Sequence, residues 1–242
     1  MKYDITSFLN DVKELEIELT ETQINQFIRY YELLTEWNSF MNLTAITEFD
    51  DVMKKHFIDS LSLVKVIPNM KEKSYRLIDI GTGAGFPGIP LKIAFPNLQI
   101  ILLDSLNKRI NFLNEVIQQL DLNEIDAFHG RAEDYAGKKE YRESFDICVS
   151  RAVANLSTLS EYCLPFVKRE GYFISYKSEK VAEELTDAGK AIDILGGSFN
   201  KQETFFLPSS DIFRCLLLIK KVKNTPSKYP RKSGLPSKEP IK

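Results

Sequence analysis

Leu77-Ile78-Asp79-Ile80-Gly81-Thr82-Gly83-Ala84-Gly85-Phe86-Pro87-Gly88 is an apolar run that closes on four glycines within eight residues. Such a run predicts a buried strand that breaks into a tight turn before a helix. Glycines at a strand-to-helix turn let backbone amides approach a ligand that side chains would otherwise block. Two registers fit. Started at Gly83, the turn reads Gly83-Ala84-Gly85-Phe86-Pro87-Gly88 and matches a dinucleotide fingerprint. Started at Gly81, it is preceded by an acid, Asp79, two residues before the first glycine. The motif alone leaves both registers open, so the flanks must separate them.

Downstream, short apolar runs alternate with helical patterns: Gln99 to Leu103, Ile125 to Phe128, Phe145 to Val149 and Gly171 to Tyr176. Together with Arg76 to Ile80 they predict a parallel sheet flanked by helices. Ser198 to Leu207 and Phe213 to Lys221 follow each other with no long helix between, which predicts an antiparallel hairpin at the end of the sheet. Upstream, residues from about 4 to 66 read as helices. Thr20-Glu21-Thr22-Gln23 has capping-box spacing, and Ile24, Phe27, Ile28, Tyr31 and Leu34 form an apolar stripe behind it. The expected organisation is a helical unit over 1–70 packed on the main domain, a Rossmann-like domain over 71–222, and a basic tail over 223–242. That tail carries Lys223, Lys228, Arg231, Lys232, Lys238 and Lys242 against Glu239, and its prolines predict an extended path.

A chain of 242 residues with 43% hydrophobic content can bury one large core, and its net charge of -2 argues against coating nucleic acid through overall charge. The three cysteines, Cys148, Cys163 and Cys215, have neither zinc-site spacing nor disulfide-scaffold density, which suits a reducing cytoplasm. No stretch of about 18 consecutive apolar residues occurs. The expectation is a cytoplasmic monomer with no metal and no membrane partner.

The acid before Gly81 resembles the first motif of class I methyltransferases. There a carboxylate complements the ammonium of S-adenosylmethionine, whereas it would repel a pyrophosphate. The second strand ends in Asp104, at about the 20-residue separation at which an acid meets ribose hydroxyls. The third strand runs into Phe128-His129-Gly130-Arg131-Ala132-Glu133, whose Ala132 amide and Glu133 carboxylate suit an adenine edge. Asp79 and Asp104 also read as plain helix caps.

The fourth strand ends in Ser150-Arg151-Ala152-Val153-Ala154. It lacks the Asn or Asp with paired prolines that exocyclic-amine methylation calls for. Cys148 and Cys163 have no evident activating partner for carbon methylation. A ring nitrogen with an in-plane lone pair has no proton to remove, so alignment in a shielded pocket suffices, a contribution on the order of 7–11 kcal/mol. Arg151 is then a candidate to anchor the cofactor or orient the base.

With Asn42-Leu43-Thr44-Ala45-Ile46, His56-Phe57-Ile58-Asp59-Ser60-Leu61, the glycine stretch, Ser150-Arg151-Ala152 and Tyr229-Pro230-Arg231-Lys232, the chain resembles the bacterial ribosomal RNA small-subunit methyltransferase G family, also called the glucose-inhibited division protein B family. The resemblance covers nearly the whole chain. It implies a class I S-adenosylmethionine-dependent α/β fold with a seven-stranded sheet and an antiparallel last strand. It also implies methyl transfer to N7 of a guanine in 16S rRNA, with cofactor contacts at Gly81, Phe86, Ala132, Glu133 and Arg151, beside Gly83 and Asp104 from the loop reading. Asn42, His56, Arg231 and Lys232 are the expected RNA contacts. A nicotinamide-dependent oxidoreductase and a noncatalytic ribosome-assembly factor stay open beside it.

Overall fold

A computed structural model of the chain describes residues 3–151, 154–178 and 181–242. Ala152 and Val153, part of the motif after the fourth strand, lie outside the described residues. Seven strands form one sheet: β1 (Arg76–Ile80), β2 (Gln99–Asp104), β3 (Ile125–His129), β4 (Phe145–Ser150), β5 (Val167–Lys177), β6 (Gly197–Phe206) and β7 (Phe213–Lys221). Their order is β3-β2-β1-β4-β5-β7-β6. β1 to β5 pair in parallel, and β7 runs antiparallel to both β5 and β6. The expected hairpin-ended sheet is present. β5 begins four residues earlier than the apolar run suggested, because Lys168, Arg169 and Glu170 continue the strand as exposed residues.

The apolar segments of β1 and β4 lack polar alternation because both faces of the sheet are covered. On one face lie α5 (Gly88–Ala94), α6 (Asn107–Gln119) and the amino-terminal helices. On the other lie α7 (Ala132–Tyr135), α8 (Leu156–Cys163) and α9 (Ala182–Ile194). Strand order reverses at β1, which has β2 on one side and β4 on the other. The crevice outside the carboxyl ends of such strands is where open α/β sheets bind ligands.

The amino-terminal helices are α1 (Thr6–Glu14), α2 (Glu21–Met41), α3 (Phe49–Val52) and α4 (Asp59–Leu61), the last two joined by a π-helical segment, Met53–Ile58. The capping box forms as expected: the Thr20 hydroxyl accepts from Gln23 N–H, and the Gln23 side chain accepts from Thr20 N–H at 2.8 Å. The buried face of α2 differs from the expected stripe. It is centred on Gln23, Phe27, Tyr30 and Leu34, leaving Ile24, Ile28 and Tyr31 half-buried. Gln23 belongs inside because its amide donates to the Ile93 and Ala94 carbonyls at the end of α5. A polar side chain that satisfies a helix end thus rotated a stripe counted from apolar residues alone.

The tail also departs from expectation. It is not extended: it turns at Pro226–Tyr229, forms a one-turn helix, α10 (Leu235–Lys238), and folds back over α7 and α8. Arg231 faces the protein. Its backbone N–H and guanidinium grip the buried Glu161 carboxylate, with NH2 to Oε2 at 2.7 Å, so this cation is not displayed toward a phosphate. A buried carboxylate strongly favours a paired guanidinium. Lys232 remains exposed.

Candidate functional site

The turn after β1 has an open face. Gly81 and Gly83 take left-handed backbone angles, φ 71° and 63°, which a side chain would strain. Gly83 N–H donates to Asp104 Oδ2 at 2.9 Å, and Gly81 N–H to the Leu103 carbonyl, so the turn is strapped to the end of β2. A Cβ on Gly83 would meet nothing within 4 Å. At Gly88 the reason for glycine is different: a Cβ there would lie 2.3 Å from Leu102 Cδ2, so that glycine serves helix-to-sheet packing.

Asp79 is fully buried at the end of β1. Its Oδ2 accepts from the Thr82 hydroxyl at 2.7 Å and from Gly88 N–H at 2.9 Å, so it does hold the first amide of α5. Its Oδ1 is buried with no hydrogen-bond partner. An orphaned carboxylate oxygen beside an open glycine turn fits a ligand that brings its own cation or donor. Burial pushes the Asp79 carboxyl up to about 7 from its ordinary 3.8, against the pull of Thr82 and Gly88. Because the folded chain holds this proton more tightly than the unfolded one, stability falls as pH rises from about 4 through about 7. The span corresponds to on the order of 4 kcal/mol. Asp79→Asn, a neutral isostere, is expected to melt above the wild-type protein at pH 8 and to lose that margin near pH 5; equal melting curves at both pH values would contradict the assignment.

Asp104 is also buried, and both its oxygens are engaged. Oδ1 accepts from Leu106 N–H at 2.9 Å, and Oδ2 accepts from Gly83 N–H and pairs with Arg109 at 3.1 Å. It does not cap α6, which starts at Asn107 with no side-chain cap. Ala132 opens α7, where an N–H has no intrahelical partner. The neighbouring Glu133 gives Oε1 to Gly234 N–H of the tail at 2.7 Å.

Arg151, after β4, sits at a junction. NH1 donates to Asp59 Oδ2 at 2.9 Å, NH2 approaches His56 Nδ1 at 3.2 Å, and the guanidinium lies 5.0 Å over the Phe86 ring. His56 stacks on the same ring at 4.5 Å and places Nε2 2.8 Å from the Thr44 hydroxyl. Since Arg151 can only donate, Nδ1 accepts and Nε2 carries the proton. Burial, aided by Arg151, lowers His56 to about 3, so the ring is neutral at physiological pH. Asp59 Oδ1 takes a second arginine, Arg214 of β7, at 2.9 Å.

The fold therefore brings Gly81, Gly83, Phe86, Asp104, Arg151 and His56 to the carboxyl ends of β1, β2 and β4, with Ala132 and Glu133 after β3. Asn42 stands apart as the exposed, left-handed C-cap of α2, φ 51°, a conformation asparagine tolerates. Lys232 and Arg231 lie on the tail, over α8. Sequence reasoning did not single out Arg214, Lys177 or Tyr176. An arginine opening the apolar run Cys215-Leu216-Leu217-Leu218-Ile219 was the available signal, since its alternation places Arg214 on the sheet face shared with Leu216 and Leu218. Among the described residues, no group of three or more His, Cys, Asp or Glu side chains is placed to hold a metal ion. No helix of the described residues is long and apolar enough to cross a membrane.

Comparison with known proteins gives the family and the fold. A family model described as rRNA small subunit methyltransferase G matches residues 23–208. The chain is 56% identical over 238 residues to the ribosomal RNA small subunit methyltransferase G of Lachnoclostridium phytofermentans, covering 98% of each chain. It is 58% identical over 228 residues to that of Alkaliphilus oremlandii, covering 94% of this chain and 95% of the relative. Among solved structures, M. jannaschii TYW2 in complex with AdoMet is similar, with TM-score 0.52 and 14% identity, over 68% of this chain and 74% of that one. The fibrillarin pre-rRNA processing protein of Methanococcus jannaschii matches with TM-score 0.51 and 13% identity, over 69% and 74%. At these identities the structural matches show the fold alone.

Proposed function

The chain belongs to the rRNA small subunit methyltransferase G family, and from that premise we propose that it transfers a methyl group from S-adenosylmethionine to N7 of a guanine in 16S ribosomal RNA. The observation that carries the cofactor reading is the open turn at Gly83 beside the orphaned Oδ1 of Asp79. Gly81 and Gly83 would lie along the amino-acid and ribose portions. Asp79 would face the ammonium, Asp104 the ribose hydroxyls through its remaining lone pairs, and Ala132 with Glu133 the adenine edge. Phe86, packed against both His56 and Arg151, would wall the turn.

When bound, S-adenosylmethionine supplies an electrophilic methyl on a sulfonium. The residues of this chain need only orient the acceptor and exclude water, because guanine N7 presents a lone pair with no proton to remove. That requirement suits a site in which His56 is neutral and committed to Arg151 and Thr44, and therefore not placed as a general base. The nicotinamide reading is disfavoured by the family match and by the hairpin-ended sheet. The noncatalytic reading is disfavoured by the methyltransferase relatives. The same proposal has the protein act in the cytoplasm as a monomer. The test is transfer of labelled methyl from the cofactor to small ribosomal subunits or their rRNA, with the product mapped by mass spectrometry. Label on guanine N7 is expected; calorimetry with no cofactor binding, or label on another atom, would overturn the proposal.

A further inference from the structure

Beside Arg151 lies a cavity of about 500 Å³, lined by Asp59, Arg151, Asn155, Tyr176, Lys177, Glu184 and Arg214 among others. Its volume is in the range of small-ligand sites and admits one nucleobase. We propose that this cavity receives the acceptor guanine, with Arg214 donating to O6 and Glu184 accepting from N1–H and the 2-amino group. The inference rests on the guanine-N7 reading above and assigns the residues that select the base.

Position is the first argument. Arg151 lines the cavity and also covers Phe86 of the glycine turn, so the cavity adjoins the loop proposed to hold the methyl donor. The acceptor atom must approach from that side.

The charged groups of the cavity are also arranged for a base. Asp59 accepts from Arg151 NH1 through one oxygen and from Arg214 Nε through the other, both at 2.9 Å, and its side chain is only 5% exposed. Pinned in this way, the two guanidiniums lose freedom but keep nitrogens to spare. Arg214 uses Nε on Asp59 and NH1 on the Phe213 carbonyl, and no bond to NH2 is described. Glu184, which also lines the cavity, takes Lys177 Nζ on Oε1 at 2.7 Å, and no bond to Oε2 is described. Tyr176 fixes its hydroxyl on the Ser60 carbonyl at 2.9 Å and so contributes its ring as an apolar wall.

Guanine is the base whose edges match a guanidinium and a carboxylate lining one cavity. N7 and O6 are neighbouring acceptors on one edge, and N1–H with the 2-amino group are donors on another. With N7 toward the methyl donor, O6 meets an arginine and the donor edge meets a carboxylate. Adenine in the same pose would set its amino group against Arg214 and its N1 lone pair against Glu184. Mismatches of this kind leave partly buried groups unpaired, which costs roughly 10- to 100-fold in transfer each.

The test compares wild type with Arg214→Met and Glu184→Gln in labelled methyl transfer to small-subunit rRNA, alongside calorimetry with S-adenosylmethionine. Each variant is expected to lose about 10- to 100-fold in kcat/KM while binding the cofactor within about twofold of wild type. Glu184→Gln keeps side-chain shape at a partly exposed position, so it reports even where Arg214→Met disturbs folding. Wild-type label on guanine N7 with both variants at wild-type kcat/KM would overturn the cavity assignment alone. Cofactor affinity falling in step with activity would also overturn it, because the lesion would then lie at the cofactor. Wild-type protein that labels no guanine N7 would overturn the function proposed above, and this inference with it.

Discussion

Gly83→Leu is expected to abolish S-adenosylmethionine binding, raising Kd by more than about 100-fold, while the protein stays folded. The expectation follows from two facts about one position. The left-handed angle of 63° costs a side-chain-bearing residue on the order of 1–2 kcal/mol. That is a modest part of the roughly 5–15 kcal/mol that stabilises a domain. The space around a new Cβ is empty of protein, so nothing in the core is displaced. The same emptiness is the room proposed for the ligand, and leucine would fill it. Calorimetry and a thermal melt on the same preparation check both halves. Cofactor affinity within threefold of wild type would show that the ligand does not pass over Gly83, and the site would have to be redrawn.

Phe57→Ala is expected to destabilise the entire chain by about 3–5 kcal/mol, in a single cooperative transition. Phe57 is fully buried. Its ring meets Phe27 and Tyr30 of α2 at 5.2 Å and Phe86 of the glycine turn at 6.0 Å. Tyr30 in turn donates from its hydroxyl to the Ala84 carbonyl inside that turn. One cavity at Phe57 therefore loosens the contact between the amino-terminal helices and the loop proposed to hold the cofactor, and cofactor affinity should fall with stability. Denaturant unfolding followed by circular dichroism and by fluorescence of Trp37 on α2 gives the measurement. Two separated transitions, or a loss below about 1 kcal/mol, would mean that residues 1–70 fold independently of the sheet.

Much of the architecture was legible because its causes are local. The alternation of apolar strands with helices, the Thr20–Gln23 capping box and the helix-free passage from Phe206 to Phe213 all depend on neighbours in the chain, and each appeared where its signal stood. The buried face of α2 was misjudged because Gln23 answers carbonyls some 70 residues away, a partner that periodicity does not contain. The tail was misjudged for a related reason. Counting Lys and Arg treats each as a free cation, whereas Arg231 is bound to Glu161 of α8. An extended path was expected from its prolines, yet Gly234 turns the chain, φ 84°, into a short helix against Glu133.

The candidate site divides in the same way. The glycine turn with Asp79 and Asp104 could be read directly, because a strand-end acid and a turn that requires positive φ are constraints within a short stretch of chain. From these and the distant motifs, the sequence by itself determined the fold class and the family resemblance, and it favoured S-adenosylmethionine over a dinucleotide. Only the tertiary structure decided how Asp59 is used, joining Arg151 after β4 to Arg214 in β7 across 92 and 155 positions of chain. It also decided that His56 is a neutral ring between Phe86 and Arg151. The physical reason is that charge pairing and desolvation depend on which groups meet in space. Propensity and periodicity are carried by the chain locally, but a buried ion pair exists only once the sheet has brought its partners together.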